Sequence, residues 1–246
     1  YIDGLYFHLI LDYSFEENIL NQSKYENNEF EYNFNNNGLF FNSDEVIYNN
    51  IYIYDNLLIT FWLYINNLDN DFNIFEFNRE EYDENYNFIT NMKLQLKYDS
   101  FNGYLNLISN KETDDNKTIE INGTISTNKW YRVTIVGFVN NTEIYLNKEK
   151  VHQDVYVLTK NTLYDSVKLG GTNFTGYIDD FRIYNKVFTE LERHKFYKPV
   201  EYPIINNTNF LIWFKFNNSF EDSSGNYSEL DQLNTNYSFV KDEDIY

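Results

Sequence analysis

Cysteine is absent from the 246 residues. A thiolate nucleophile, a cysteine-ligated metal and any disulfide are therefore excluded. Histidine occurs three times, at His8, His152 and His194. That is too few for a multi-histidine zinc site, and none has a patterned Ser or Asp partner for nucleophilic catalysis. Bases are scarce: 19 Lys and Arg stand against 38 acids, a net charge of −19. Such a surface disfavours nucleic acid and anionic membrane, since both need a positive face. The sequence has no apolar run long enough for a membrane-spanning helix. It also lacks a Gly-x-Ser-x-Gly elbow and a glycine-rich phosphate loop, and Gly170-Gly171 reads as a turn at a strand end.

What the chain has is aromatic: 24 Tyr, 22 Phe and 3 Trp. Tyr and Phe fit pleated, half-buried surfaces, so the composition points to an all-β chain. Asn is also abundant, with 40 residues, and with Tyr, Phe, Ile and Lys over Arg it suggests an AT-rich genome. Period-2 segments recur between turn signals. Leu9, Leu11, Tyr13 and Phe15 alternate with polar neighbours, and Leu39-Phe40-Phe41 follows Gly38. Residues 57–64 form a mostly apolar run, as in a central sandwich strand. Further strands are predicted over 72–77, 92–98, 104–108, 130–138, 143–146, 166–169 and 177–184. Many short strands at this spacing predict a sandwich or jelly roll. One short helical turn is predicted where Thr189 and Glu192 form a capping box.

Both prolines, Pro199 and Pro203, fall in one stretch that reads as a linker over 198–208. Beyond it the opening pattern returns: Phe210, Ile212, Phe214 and Phe216 match Leu9, Leu11, Tyr13 and Phe15 in step. Phe239, Asp242-Glu243 and Ile245-Tyr246 then match Phe41, Asp44-Glu45 and Ile47-Tyr48. The expected organisation is a complete domain over 8–197 and the N-terminal part of a second copy over 209–246. The chain opens in mid-pattern at Tyr1 and is expected to be a piece of a longer tandem protein, continuing past Tyr246. The other arrangement is that residues 209–246 fold back on the first sandwich, or are completed by strands of another chain.

Six elements resemble, in order, the laminin-G-like, concanavalin A-like jelly-roll family. The opening strand is Leu11-Asp12-Tyr13-Ser14-Phe15-Glu16, followed by Gly38-Leu39-Phe40-Phe41-Asn42. The first Trp strand resembles Leu58-Ile59-Thr60-Phe61-Trp62-Leu63, and the second Trp130-Tyr131-Arg132-Val133-Thr134-Ile135. A hairpin is similar over Glu143-Ile144-Tyr145-Leu146-Asn147-Lys148, with Lys148 where the family has Gly. The closing element is Gly176-Tyr177-Ile178-Asp179-Asp180-Phe181-Arg182-Ile183-Tyr184-Asn185. The resemblance implies an antiparallel jelly-roll sandwich. Within the closing element Ile178 and Phe181 are three apart while Phe181 and Ile183 are two apart. A β-bulge at Asp179-Asp180 would restore the inward face, and Gly176 permits the tight entry. Leu11, Phe15, Phe41, Trp62, Trp130, Val133, Ile135, Ile178 and Phe181 are expected to share one core.

The acid-x-acid-x-Glu pattern of a glycosidase on this scaffold, with its carboxylates at i and i+4 on one strand face, does not occur: Glu29-Phe30-Glu31-Tyr32-Asn33 fails at the last place and Glu76-Phe77-Asn78-Arg79-Glu80 has Asn in the middle. The chain is expected not to be an enzyme. Asp69-x-Asp71-x-Asn73 with Glu80 imitates an EF-hand loop, but Ile74 stands where the loop needs Gly. The resemblance implies a structural calcium where the closing and opening strands meet, with Glu16, Asp179 and Asp180 as oxygen donors; otherwise Asp179 bonds the amides of its bulge. No other cofactor is expected. Nine Asn-x-Ser/Thr sequons are glycosylation candidates: Asn21, Asn116, Asn122, Asn140, Asn173, Asn206, Asn217, Asn226 and Asn236. Tyr82, Tyr86, Tyr98 and Tyr104 are candidates for stacking on sugar rings.

These features point to a non-catalytic recognition or structural module of a larger secreted or surface protein, binding glycan or protein. The expected setting is extracellular, on a cell or on a virion or particle. The alternatives are an accessory carbohydrate-binding region of an enzyme or toxin, or a purely architectural coat component whose partners are neighbouring copies.

Overall fold

The computed structural model describes residues 39–53, 56–82, 88–110, 117–121, 125–138, 141–154, 162–186, 210–214, 232–233 and 238–239. All belong to the unit spanning 34–246. They form fifteen strands: β1 (Leu39–Asn42), β2 (Glu45–Ile53), β3 (Leu57–Ile65), β4 (Phe72–Tyr82), β5 (Phe88–Asp99), β6 (Tyr104–Asn110), β7 (Lys117–Ile121), β8 (Trp130–Phe138), β9 (Asn141–Leu146), β10 (Glu149–Asp154), β11 (Thr162–Gly170), β12 (Thr175–Tyr184), β13 (Phe210–Phe214), β14 (Gln232–Leu233) and β15 (Ser238–Phe239). Every ladder is antiparallel. Among the described residues there is no helix. The capping box at Thr189 lies outside them.

Two sheets form a sandwich. The first has the order β10-β9-β8-β3-β12-β1-β15, with β13 also on β12; the second has the order β14-β2-β11-β4-β5-β6-β7. Each predicted strand from 39 to 184 is present. The strands β2, β7 and β10 are additional to those predicted. They read as Glu-Val-Ile-Tyr-Asn-Asn-Ile-Tyr-Ile, Lys-Thr-Ile-Glu-Ile and Glu-Lys-Val-His-Gln-Asp, polar enough to pass for loops. β7 and β10 are each paired with a more apolar strand, which supplies the driving force their own composition lacks, and β2 pairs with β11.

The core lies between the sheets and is tied by aromatic contacts. Phe61 of β3 meets Phe181 of β12 at 5.4 Å and Phe75 of β4 edge-on at 6.0 Å. Phe72 bridges Tyr98 at 5.1 Å and Phe174 at 5.3 Å. Such ring pairs add about 0.5–1.5 kcal/mol each beyond burial, so much of the aromatic excess is structural.

The centre of the first sheet, at β3 and β8, is buried on both faces. On β3 every residue from Leu57 to Leu63 is buried. This is why that segment reads as a continuous apolar run and hides its phase. Phe61 and Leu63 belong to the inter-sheet core, whereas Trp62 faces the other way, opposite Arg132 and Asp179. The expectation that Trp62 shares the inner core is thus corrected: it is buried, on the outer face. Trp130 is only half-buried, beside Tyr64 at 5.1 Å. Phe41, Val133, Ile135, Ile178 and Phe181 are core residues as expected. Leu11 and Phe15 lie outside the described residues.

The closing strand carries the expected bulge. Its register on β3 shifts between Asp179 and Arg182, and Asp180 has φ 49°. At Gly176 a Cβ would collide with the Tyr64 carbonyl oxygen. Only glycine allows β12 to approach β3 this closely.

The last strands do not stand apart. Phe210–Phe214 pairs with Phe181–Tyr184 of β12, β14 pairs with Val46 and Ile47 of β2, and β15 pairs with Leu39 and Phe40 of β1. All three add to the sheets of the sandwich. The stretch 198–208 lies outside the described residues.

Candidate functional site

Two polar clusters sit on the sheets. The first surrounds the bulge of β12. Asp179 is buried, and its Oδ1 accepts the Asp180 N–H at 2.7 Å. Oδ2 of Asp180 accepts from Nη1 of Arg132 at 2.9 Å, and Oδ1 from Nε of Arg182 at 2.6 Å. Arg132 is fully buried, its Nε donates to Thr60 at 2.9 Å, and its guanidinium lies 5.3 Å from the Trp62 ring centre. Burial by itself would lower the Arg182 pKa, but the Asp180 carboxylate, with Tyr184, more than reverses this and holds the group firmly charged. Burial raises the Tyr184 phenol.

Calcium does not fit here. Both Asp180 oxygens are held by guanidinium groups, whose positive charge would repel a cation. Asp179 instead accepts the amide of its own bulge. Among the described residues no group of three or more His, Asp or Glu could hold a metal. Glu16 lies outside the described residues. The positive charge expected from a metal is supplied by the chain itself. Arg132, an isolated cation in an otherwise apolar strand, was the available sequence signal.

The second cluster is the outer face of the other sheet. Alternation along β4, β5 and β6 turns Leu94, Leu96, Tyr98, Leu105 and Leu107 into the core. It turns Lys93, Gln95, Lys97, Asp99, Tyr104 and Asn106 outward, on one surface. Gln95 donates to Glu76 at 2.8 Å, and Lys93 pairs with the same carboxylate at 3.0 Å. Asn106 is 3% exposed and its amide lies 3.5 Å from Asp99, while its Oδ1 has no partner. The face is a strip of amides, carboxylates and ammonium groups fixed on rigid strands.

At one end of the strip the chain turns between β5 and β6. Asp99 Oδ1 accepts the backbone N–H of Phe101 at 3.0 Å and of Asn102 at 3.2 Å, and its carbonyl accepts that of Gly103 at 2.8 Å. Gly103 has φ +75°, which glycine supplies without strain. Ser100 ties the turn to the preceding loop by donating its N–H and Oγ–H to Asp71 at 2.8 and 2.7 Å. These two bonds from Ser100 lower the Asp71 pKa. Asp71 therefore belongs to a turn contact, not to a calcium loop, and Ile74 is in the core. The side-chain amide of Asn173 donates to the Asp71 carbonyl at 3.2 Å. Three connections thus meet at this end.

Of the stacking candidates, Tyr98 is buried against Phe72 and is corrected to a core residue; burial raises its phenol. Tyr104 is 38% exposed on the strip. Tyr82 ends β4, and Tyr86 lies outside the described residues. Phe101, unmarked in the sequence, is 95% exposed. Of the sequons, Asn173 is exposed, with φ 68°, in the turn before β12. Asn21, Asn116, Asn122, Asn140, Asn206, Asn217, Asn226 and Asn236 lie outside the described residues.

This fold is the one that comparison with known proteins finds. Residues 22–192 match the concanavalin A-like lectin/glucanases superfamily, and the chain belongs to it. Among solved structures, a protein of Bacteroides ovatus described as carbohydrate binding is similar, with 14% identity and TM-score 0.54, covering 77% of this chain and 56% of that one. The binding domain of botulinum neurotoxin serotype D is also similar, with 22% identity and TM-score 0.51, covering 70% and 45%. The same serotype's domain in complex with N-acetylneuraminic acid has 21% identity and TM-score 0.50, covering 65% and 42%. This chain thus spans about half the length of these structures. No curated protein matches the sequence.

Proposed function

We propose that the chain is a non-catalytic recognition module that binds glycan across the outer face of the β4–β5–β6 sheet. The observation that carries this reading is the strip of Glu76, Lys93, Gln95, Lys97, Asp99 and Tyr104, set on one outward face of rigid strands. Hydroxyls need both donors and acceptors, and the strip offers both. The similarity to a carbohydrate-binding protein and to a toxin domain complexed with N-acetylneuraminic acid supports the reading. An extracellular or particle-surface setting agrees with the sequons and with the class of relatives. No helix among the described residues is long and apolar enough to cross a membrane.

The test is a glycan array with the full chain, followed by calorimetry with the best ligand for Gln95→Ala and Asn106→Ala. Each variant should weaken binding while leaving the melting temperature within a few degrees. Absence of any glycan binding at high protein concentration would instead favour the architectural role, in which neighbouring copies are the partners.

A further inference from the structure

We propose that the β5–β6 turn is the sugar-stacking end of this site, with Phe101 as the platform for an uncharged pyranose ring. The inference rests on the glycan-binding reading and adds the chemical class of the ligand.

A single exposed apolar side chain is ordinary on a protein surface. Phe101 differs in how it is held. Its ring is 95% exposed, yet its backbone N–H is bonded to Asp99, and its neighbours Ser100, Asn102 and Gly103 are fastened to Asp71 and Asp99. The side-chain amide of Asn102 adds a bond to Asp99 Oδ2 at 3.1 Å. The ring is thus presented on a preorganised turn, so little ordering entropy remains to be lost on binding. Among the described residues no packing accounts for the exposure.

The surroundings select the ligand. An aromatic face attracts the C–H face of a sugar ring and is indifferent to its hydroxyl pattern. The Asp71 and Asp99 carboxylates accept hydrogen bonds from their own loops and from Asn106, and among the described residues neither is in an ion pair. Asp99 already accepts two bonds on each oxygen, whereas both Ser100 bonds fall on Oδ1 of Asp71, so its Oδ2 can accept a sugar hydroxyl. Asn106, joined to Asp99 at 3.5 Å, leaves its buried Oδ1 unsatisfied beneath the same end of the strip. Asp69 lies exposed two residues before Asp71, on the same connection. The Asp71 and Asp99 carboxylates at this turn, in a chain of net charge −19, outweigh the nearby Lys97 and repel an anionic sugar. Sialylated and sulfated glycans are therefore disfavoured here, although a structural relative is known with N-acetylneuraminic acid.

The experiment uses the full chain and its Phe101→Ser and Phe101→Trp variants on an array that holds neutral, sialylated and sulfated glycans, with melting curves as a control for folding. The wild-type chain should retain neutral glycans. Phe101→Ser should weaken them by about tenfold or more, in the range expected of an aromatic anchor, and Phe101→Trp should restore them. Neutral glycans held equally by Phe101→Ser would overturn the stacking role and leave the glycan-binding reading intact. Binding confined to sialylated or sulfated glycans would overturn the ligand class. No binding by any of the three proteins would overturn the glycan reading itself.

Discussion

The Asp180 carboxylate accepts the Arg132 guanidinium at 2.9 Å across 48 residues of sequence. Arg132 is fully buried and Asp180 partly so. Removing one member of such a pair leaves a charge without its partner, which is strongly destabilising, whereas replacing both is far milder. Asp180→Asn should therefore cost roughly 3–5 kcal/mol, and Asp180→Asn with Arg132→Met should recover part of the loss. Urea unfolding of the single and double variants measures it. Additive losses would show that the pair is not coupled. The melting temperature should also be the same with calcium or chelator, since guanidinium already neutralises Asp180.

Trp62 lies on the outer face of β3 with its ring 5.3 Å from the Arg132 guanidinium. Trp62→Ala should cost roughly 3–5 kcal/mol, from lost burial and a lost cation–π contact. Trp62→Phe should cost less. A loss below about 1 kcal/mol in Trp62→Ala would place the side chain in solvent, contrary to its burial.

At Gly176 a methyl group would meet the Tyr64 carbonyl oxygen. Backbone cannot swing aside as a side chain can, so Gly176→Ala should destabilise by roughly 1–3 kcal/mol. Gly103→Ala is the control: it has open space but φ +75°, and suffers only backbone strain, on the order of 1 kcal/mol. Equal melting temperatures for wild type and Gly176→Ala would contradict the close approach of β12 to β3.

Deleting residues 209–246 should expose the edge of β12 at Phe181–Tyr184, which β13 covers. An unpaired strand edge invites pairing with another chain. The truncated chain should melt lower and self-associate, which calorimetry and size-exclusion chromatography measure. An unchanged melting point and a monomeric profile would show that the last strands are dispensable, as a separate copy would be.

The Asp71 pKa is lowered from its ordinary 3.8 by the bonds from Ser100. A carboxylate with a depressed folded-state pKa contributes stability above its unfolded-state value, and loses it as pH falls through the folded-state value. The β5–β6 turn should therefore be intact near neutral pH and loosen below the ordinary carboxylate range. Amide exchange of Ser100 and Phe101 should accelerate there, and Asp71→Asn should remove most of the pH dependence. Asp71 is exposed, so the effect on global stability should be small.

The sequence by itself determined the all-β class, the order of the main strands, the bulge at Asp179-Asp180 and the need for glycine at 176. Each of these is local: period-2 alternation, a phase slip and a residue without Cβ are visible along the chain. Tertiary structure decided the rest. Trp62 could not be phased because β3 is buried on both faces, so its apolar run carries no alternation to read. Asp179 and Asp180 looked like metal ligands because Arg132 is far away in sequence, and only the β12–β3–β8 order brings its charge to the bulge. Tyr98 and Tyr104 are the same residue type six positions apart, yet one is core and the other surface, because the intervening turn reverses which face the chain presents. Phe101 carried no sequence signal at all: exposure of an aromatic ring is a property of what surrounds it.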